Sequence, residues 1–305
     1  MKFTDQQLND INRLFNQIQT EIYGLDTVEL EGANLVPAET GIGQWIKSFT
    51  YKIATALGVA KLISDYGDDF PPISRSFELM TGVIKEFGVS YSFSEPELMQ
   101  WLTAGIDLSR DEAEGARETI DMNNDEIILK GHKEAKLLGF INNPNVTVIS
   151  AGTAAAGGTG WKGKTLEEIQ ADVQSLIDTV RSASKRTVKI DTIALPHDAF
   201  VHVSTKKIGT DSGSANILDY LKTTYAKQGI TDIVECSALE GAGAGDTDRA
   251  IGYKKDRKCL AYVLPIPFRQ MPAQVKGLKF TTPCYSRSGG TVIKNLASIV
   301  YMDGV

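Results

Sequence analysis

The chain is short of the residues that build metal and redox sites. Its 305 residues include three cysteines and three histidines. Cys236, Cys259 and Cys284 are odd in number and widely spaced, which suits neither a disulfide framework nor a zinc pattern. His197 and His202 stand five apart instead of the four of a helical metal pair, His132 is remote from both, and no carboxylate completes a site. No apolar run approaches the roughly 18 residues of a membrane span. The opening MKFTDQQLND has no apolar core and does not read as a secretory signal. A basic excess is also missing. With 32 Lys and Arg against 38 Asp and Glu, the net charge of −6 argues against a protein whose main task is gripping nucleic acid, though not against one that encloses it. Nucleophile signatures are absent too: there is no G-x-S-x-G and no papain-like cysteine context. Asp111, Glu112 and Glu114 read as a solvated helix start. The sequence therefore assigns no catalytic, cofactor-binding or metal-binding residue and implies no enzyme.

What is present begins with β-patterning. From Phe77 the odd positions carry Phe77, Leu79, Val83, Phe87, Val89, Tyr91 and Phe93, interrupted by Thr81 and Lys85. One strand over those 17 residues would span roughly 55 Å at about 3.3 Å per residue. Ordinary strands have about 5–6 residues. Such a strand must bend, bulge, or leave the body of the domain. Upstream, Phe49, Tyr51 and Ile53 alternate as well. Leu57-Gly58 looks like a turn into Val59–Ile63, so Ile46 to Tyr66 is predicted as a hairpin. A modest amphipathic helix is predicted from Thr4 to Ile22. Glu21 to Gly43 reads as an extended arm that stays loose without a partner.

Downstream, three S/T-x-x-E capping boxes mark helix starts at Ser94, Ser109 and Thr165. The first opens a short helix to about Ala104. The second runs to about Lys130 with a buried stripe of Ala113, Ala116, Ile120, Met122, Ile127 and Ile128, and Gly131 ends it. The third is amphipathic through Ile169, Val173, Leu176, Ile177 and Val180. Strands are predicted at Val146–Ile149, Val188–Leu195, Ile230–Cys236 and Cys259–Ile266, with helices at Pro196–Ser204 and Asn216–Tyr225. Their alternation over 146–266 gives an α/β layer. The tail from Gln274 returns to β and ends on Ser298–Met302.

Two glycine-rich segments invite a nucleotide reading. Gly158-Thr159-Gly160-Trp161-Lys162-Gly163-Lys164-Thr165 matches G-x-x-x-x-G-K-[ST], with Lys164 and Thr165 as phosphate and magnesium residues. Against it, Ala151–Gly157 separates strand from motif, and Glu167 and Glu168 occupy the first helical turn, where a triphosphate needs positive potential. Thr165 already serves as a helix cap. Gly241-Ala242-Gly243-Ala244-Gly245 completes no dinucleotide fingerprint, and Asp246 and Asp248 put negative charge where phosphate would go; a flexible exposed loop is expected. Trp45, Trp101 and Trp161 each lie near a segment junction, as core filling or as anchors between subunits.

The order of parts, and several phrases, carry a resemblance. Phe49-Thr50-Tyr51, the run Ala60 to Asp69 with Pro71 after it, Gly88 to Phe93, Gly139 to Val146 and Leu195-Pro196 follow one another along most of the chain. Together they resemble the tailed-bacteriophage major capsid proteins of the HK97-type fold, in a branch once labelled only as a domain of unknown function. The resemblance implies an α+β fold. Its parts would be an N-terminal arm (1–45), an extended β-hairpin loop (46–78), a peripheral domain with the spine helix (79–145), an axial domain (146–266) and a C-terminal return to the peripheral domain (267–305). It implies a non-enzymatic head protein that self-assembles into pentamers and hexamers of an icosahedral shell around double-stranded DNA. Its partners would be copies of itself with scaffolding and portal proteins, and it would be made in the host bacterial cytoplasm and reside in the virion. The alternatives are a P-loop NTPase through 158–165 and a bacterial nanocompartment shell.

Overall fold

The alternating stretch folds as two strands. The computed structural model describes residues 31–39, 41–57, 74–97, 99, 108–155, 157–208, 215–277 and 279–305. Strand β1 (Ser48–Leu57) pairs antiparallel with β2 (Ser74–Val83) in a ten-residue register from Ser48↔Val83 to Leu57↔Ser74. The hairpin partner of the Phe49 strand is thus Ser74–Val83. The predicted second arm, Val59–Ile63, lies outside the described residues, as do the Thr4–Ile22 helix and Trp101. After Ile84 the chain continues as β3 (Lys85–Ser94), which pairs over ten residues with β13 (Lys279–Ser288). Ile84, donating its N–H to Lys47 O at 2.9 Å, is the break that so long a strand required.

Inward side chains of β3 alternate as expected, with Tyr91 and Phe93 buried. Across them lies helix α2 (Leu108–Leu129), whose Ala113, Ala116 and Ile120 pack on Tyr91, Phe93, Phe280 and Cys284. The helix begins at Leu108, one residue before the predicted cap, and ends ahead of Gly131 at φ +72°, where the short antiparallel pair β4 (Gly131–His132) and β5 (Leu137–Leu138) follows. The predicted stripe holds except at Met122. Two residues past Ile120 place it about 200° round the helix, on the solvent side. Its buried counterpart is Asn124, which donates to Pro267 O and accepts from Ser286 Oγ, at 2.9 and 3.0 Å.

The α/β expectation over 146–266 is met in part. A five-stranded sheet runs β6-β15-β9-β7-β8, built from β6 (Thr147–Ser150), β7 (Thr192–Leu195), β8 (Asp232–Glu235), β9 (Arg249–Tyr253) and β15 (Ile299–Asp303). β6 is parallel to β15 and β7 to β8, while β9 runs antiparallel between the two pairs. The sequence reading had no strand at 249–253, because Gly252 and the charged 254–258 that follows break its apolar run. All five residues are buried, and a Cβ on Gly252 would sit 3.1 Å from Ile190 Cδ1. Helices α3 (Leu166–Ala183), α4 (His197–Thr205) and α5 (Ile217–Tyr225) cover one face through Ile169, Leu176, Val203 and Leu221. Leu35, Phe140, Tyr253 and Tyr301 fill the other.

The tail is divided. Strands β11 (Ile266–Gln270), β12 (Gln274–Lys276) and β13 share the sheet of β3. β14 (Gly290–Ile293) pairs with β10 (Leu260–Val263), and β15 crosses into the five-stranded sheet. The sequence reading kept 267–305 together, but the alternating burial of Ile299 and Tyr301 on one face and Val300 and Met302 on the other needs a sheet covered on both sides.

Residues 31–39 of the predicted loose arm are held. Helix α1 (Glu31–Leu35) lies on α2, with Gly32 N donating to Asp125 Oδ1 at 2.7 Å. A Cβ on Gly32 would stand 2.8 Å from Ile128 Cγ2, so only glycine permits this approach. Leu35 and Val36 are buried, and Tyr253 Oη donates to Leu35 O at 2.7 Å.

Candidate functional site

The P-loop pattern does not form a phosphate cradle. Trp161–Gly163 is a single 3-10 turn, and Thr165 caps α3 in a reciprocal box with Glu168. Lys164 is 1% exposed, with its ammonium bound to the Asp172 carboxylate. That carboxylate also accepts from Trp161 Nε1 and Gly152 N, each at 2.9 Å. Lys164 is thus spent closing the glycine-rich loop onto α3, and the nucleotide-binding alternative is corrected. Its sequence signal is real, but it comes from a buried ion pair followed by a helix cap.

The Gly241–Gly245 loop is exposed as expected, and it is also tethered. Ala244 N donates to Asp303 Oδ2 at 3.0 Å and Gly241 N to Asp248 Oδ1 at 2.9 Å. Asp303 in turn holds Arg249 in a two-pronged pair, Nε–Oδ1 2.6 Å and Nη2–Oδ2 3.0 Å, while Arg249 Nη1 reaches Ile141 O at 2.7 Å. Burial alone would raise the Asp303 pKa; the Arg249 and Ala244 hydrogen bonds outweigh it and leave the carboxyl below its ordinary value.

His197 pairs with Glu235 at the surface, and that hydrogen bond raises the imidazole pKa. His202 is lowered, first by burial and then by Lys206 and Lys162. The three cysteines are free and buried; burial pushes Cys284 up to about 11 and Cys236 to about 12, so neither is a poised nucleophile. Among the described residues no cluster of His, Cys, Asp or Glu could hold a metal ion, and no helix is long and apolar enough to cross a membrane.

What the structure does assemble is the root of the β1–β2 hairpin. Arg287, 2% exposed, donates to Gln44 O and, at 3.0 Å, to Ile46 O. Its Nε lies 3.2 Å from Glu86 Oε1, off the N–H direction, so that contact is ionic. Trp45 lies against two guanidinium groups, Arg269 at 5.2 Å and Arg287 at 5.8 Å from its ring centre. Phe49 lies over Gly82, where a Cβ would fall 2.3 Å from its ring, and beneath them Ile84 packs with Val263 and Val292. A cleft of about 500 Å³ between this root and the turn 134–138 is lined by Tyr51, Val83, Leu138 and Val292, without convergent catalytic groups.

Apolar side chains at the root and just past it are open to solvent. Leu79 is 62% exposed and Trp45 63%, with Ile46 and Val83 also open to solvent. Trp161, by contrast, is core. A packed core beside exposed apolar residues such as Leu79 describes a subunit with surface left for neighbours.

Comparison with known proteins agrees. No curated protein matches the chain. Among solved structures it is similar to the capsid of Myoviridae phage XM1, at 17% identity and TM-score 0.73, covering 92% of this chain and 94% of that one. It is similar also to Microbacterium phage Oxtober96 (10% identity, TM-score 0.57, 92% and 91% covered) and to a virus-like particle from Pyrococcus furiosus (12%, 0.55, 95% and 97%). At such identities these likenesses establish the fold, which is the HK97-type capsid fold. The profile of the family described as major capsid protein matches residues 58–305. With most of its length matched, the chain belongs to the major capsid protein family and is a shell-forming structural protein.

Proposed function

We propose that this capsid protein forms the pentamers and hexamers of an icosahedral head around double-stranded DNA, with no enzymatic role. The observation that carries the reading is the β1–β2 hairpin: ten paired residues a side, about 33 Å long, bearing exposed Leu79 and Val83. A projection of this kind gains its burial on adjacent copies, so stability comes from closed rings and a closed shell. On the same reading the arm spans 1–45, the extended loop 46–78, the peripheral domain 79–145 and the axial domain 146–266. The tail 267–305 serves the peripheral domain except where β15 joins the five-stranded sheet. The protein is made in the host bacterial cytoplasm and resides in the virion, with scaffolding and portal proteins as partners. The family match favours this virion role over a nanocompartment shell.

The test is negative-stain electron microscopy of the full-length protein, paired with light scattering. Rings, tubes or shells of regular diameter are expected, and Leu79→Ser should abolish them while leaving a folded monomer. A wild type that stays monomeric at high concentration, with and without co-expressed head proteins, would overturn the proposal.

A further inference from the structure

The five-stranded sheet has two chemically different ends. Where the parallel strands finish, the surface carries Asp198, Glu235, Glu240, Asp246 and Asp248. At the other end α3 descends and turns into β7, and here 181–189 reads Arg-Ser-Ala-Ser-Lys-Arg-Thr-Val-Lys, with four cations and no acid. Arg181, Lys185, Arg186 and Lys189 line a shallow depression of about 700 Å³, together with Ser182 and Asp178. Asp178, the one carboxylate on the rim, is engaged by Gln174 Nε2 at 2.9 Å. None of the four cations forms an ion pair among the described residues. A second basic run, Lys254-Lys255-Asp256-Arg257-Lys258, leaves β9 at the same end, tied in by Lys255 N donating to Asp191 Oδ1 at 2.7 Å.

Helix chemistry does not account for this. A helix C-terminus carries about half a negative charge, which one cation in the last turn satisfies. Arg181 is in that turn, whereas Lys185, Arg186 and Lys189 lie beyond it. The backbone is unusual as well: Lys185 and Arg186 are consecutive left-handed residues, at φ +50° and +65°, without a glycine. The turn is pinned from within by buried Ser184, whose Oγ accepts from Val188 N at 3.2 Å, while Lys185, Arg186 and Lys189 stay exposed. Repelling cations held apart in a concave surface match a ligand whose negative charges are spaced and repeated. Within a protein of net charge −6 they give it a face on which to meet one.

We infer that the depression formed by Arg181, Lys185, Arg186 and Lys189 is a phosphodiester-binding site that holds the backbone of duplex DNA against the subunit. The contact is to phosphates alone, hence independent of sequence and sensitive to salt. The acidic loops at the opposite end of the sheet keep DNA from binding there. This rests on the capsid reading, and it refines it: the DNA is met at one patch per subunit.

The test is fluorescence anisotropy of the full-length protein with a labelled 30-base-pair duplex of arbitrary sequence, titrated at several salt concentrations. Lys185→Gln/Arg186→Gln is expected to weaken binding about ten-fold near physiological salt and to lower the salt slope by about 2. Lys133→Gln/Lys162→Gln removes the same charge elsewhere and should change affinity less than two-fold, with circular dichroism confirming the fold of both. Equal losses in the two variants, or no loss in the first, would overturn the site. So would salt-sensitive self-association that depends on Lys185 and Arg186 while DNA binding does not, because the acidic end of a second copy would then be the occupant. Regular shells by microscopy without patch-dependent DNA binding sink this inference alone; a failure to form shells sinks the functional proposal.

Discussion

Strands β2 and β3 come from one stretch of alternating sequence and meet opposite fates. In β3 the odd positions Tyr91 and Phe93 are buried under α2, whereas in β2 the odd positions Leu79, Thr81 and Val83 face solvent. The pleat is the same and the residue types overlap. The difference is what lies opposite: β3 joins a sheet roofed by a 22-residue helix, and among the described residues β2 pairs with β1 alone. Period-2 patterning therefore reports that one face wants covering. It does not report whether the cover comes from the same chain.

Substitutions should separate the two strands. Phe93→Ala is expected to cost about 3–5 kcal/mol, as large-to-small changes of buried aromatics do. Leu79→Ser should move monomer stability by no more than about 0.5 kcal/mol while stopping assembly. Urea unfolding beside light scattering reads both, and a hairpin variant that unfolds like the core variant would erase the distinction. Next in size, Lys164→Ala leaves Asp172 buried without its cation, a loss of about 3 kcal/mol or more. Its thermal midpoint should fall whether or not ATP is added, and protection by ATP in the wild type would contradict the buried-pair assignment. At the hairpin root Trp45→Ala removes two guanidinium–ring contacts worth about 0.5–1 kcal/mol each at an exposed site. Amide exchange should accelerate in β1 and β2 but not in β3. The smallest effect is at His197, an exposed residue whose pKa is raised chiefly by its hydrogen bond to Glu235. A raised folded pKa contributes stability that is present below the ordinary histidine value and lost as pH rises through the folded one. His197→Gln should therefore lower the midpoint slightly at pH 5.5 and leave it unchanged at pH 8.5.

Much of the fold was legible where local chemistry decides it. The Thr165 capping box, the Gly131 stop and the α3 stripe depend on neighbours in sequence, and all are present in the structure. The Ser94 box is there too, with Glu97 N donating to Ser94 Oγ and Ser94 N to Glu97 Oε2. What could not be read depends on distant partners. β9 hides behind Gly252, whose missing side chain makes sense only once Ile190 is known to lie above it. The pairing of β1 with β2 was not legible because the turn-like Leu57-Gly58 points to a nearby partner, whereas Ser74 follows β1 after 16 residues of intervening chain. The site was harder still. That Lys164 faces Asp172 follows from a helix and a loop folding together, so the motif alone suggested a phosphate. The hairpin root brings Trp45 to Arg287 across more than 240 residues, and no sequence pattern announces it.

That same long reach shapes how the subunit comes into being. β15 lies between β6 and β9, yet it follows β6 by about 150 residues and β9 by 46. At translation rates of about 5–20 residues per second, β9 waits roughly 2–9 seconds beside an empty slot in the sheet. Loop closure over so many residues is slow, and an unfilled slot offers two unpaired edges. β9, fully buried in the finished subunit, thus stands with an open edge during its synthesis. Nascent chains halted before residue 299 should be cut readily within β6 and β9 and become resistant once β15 has emerged.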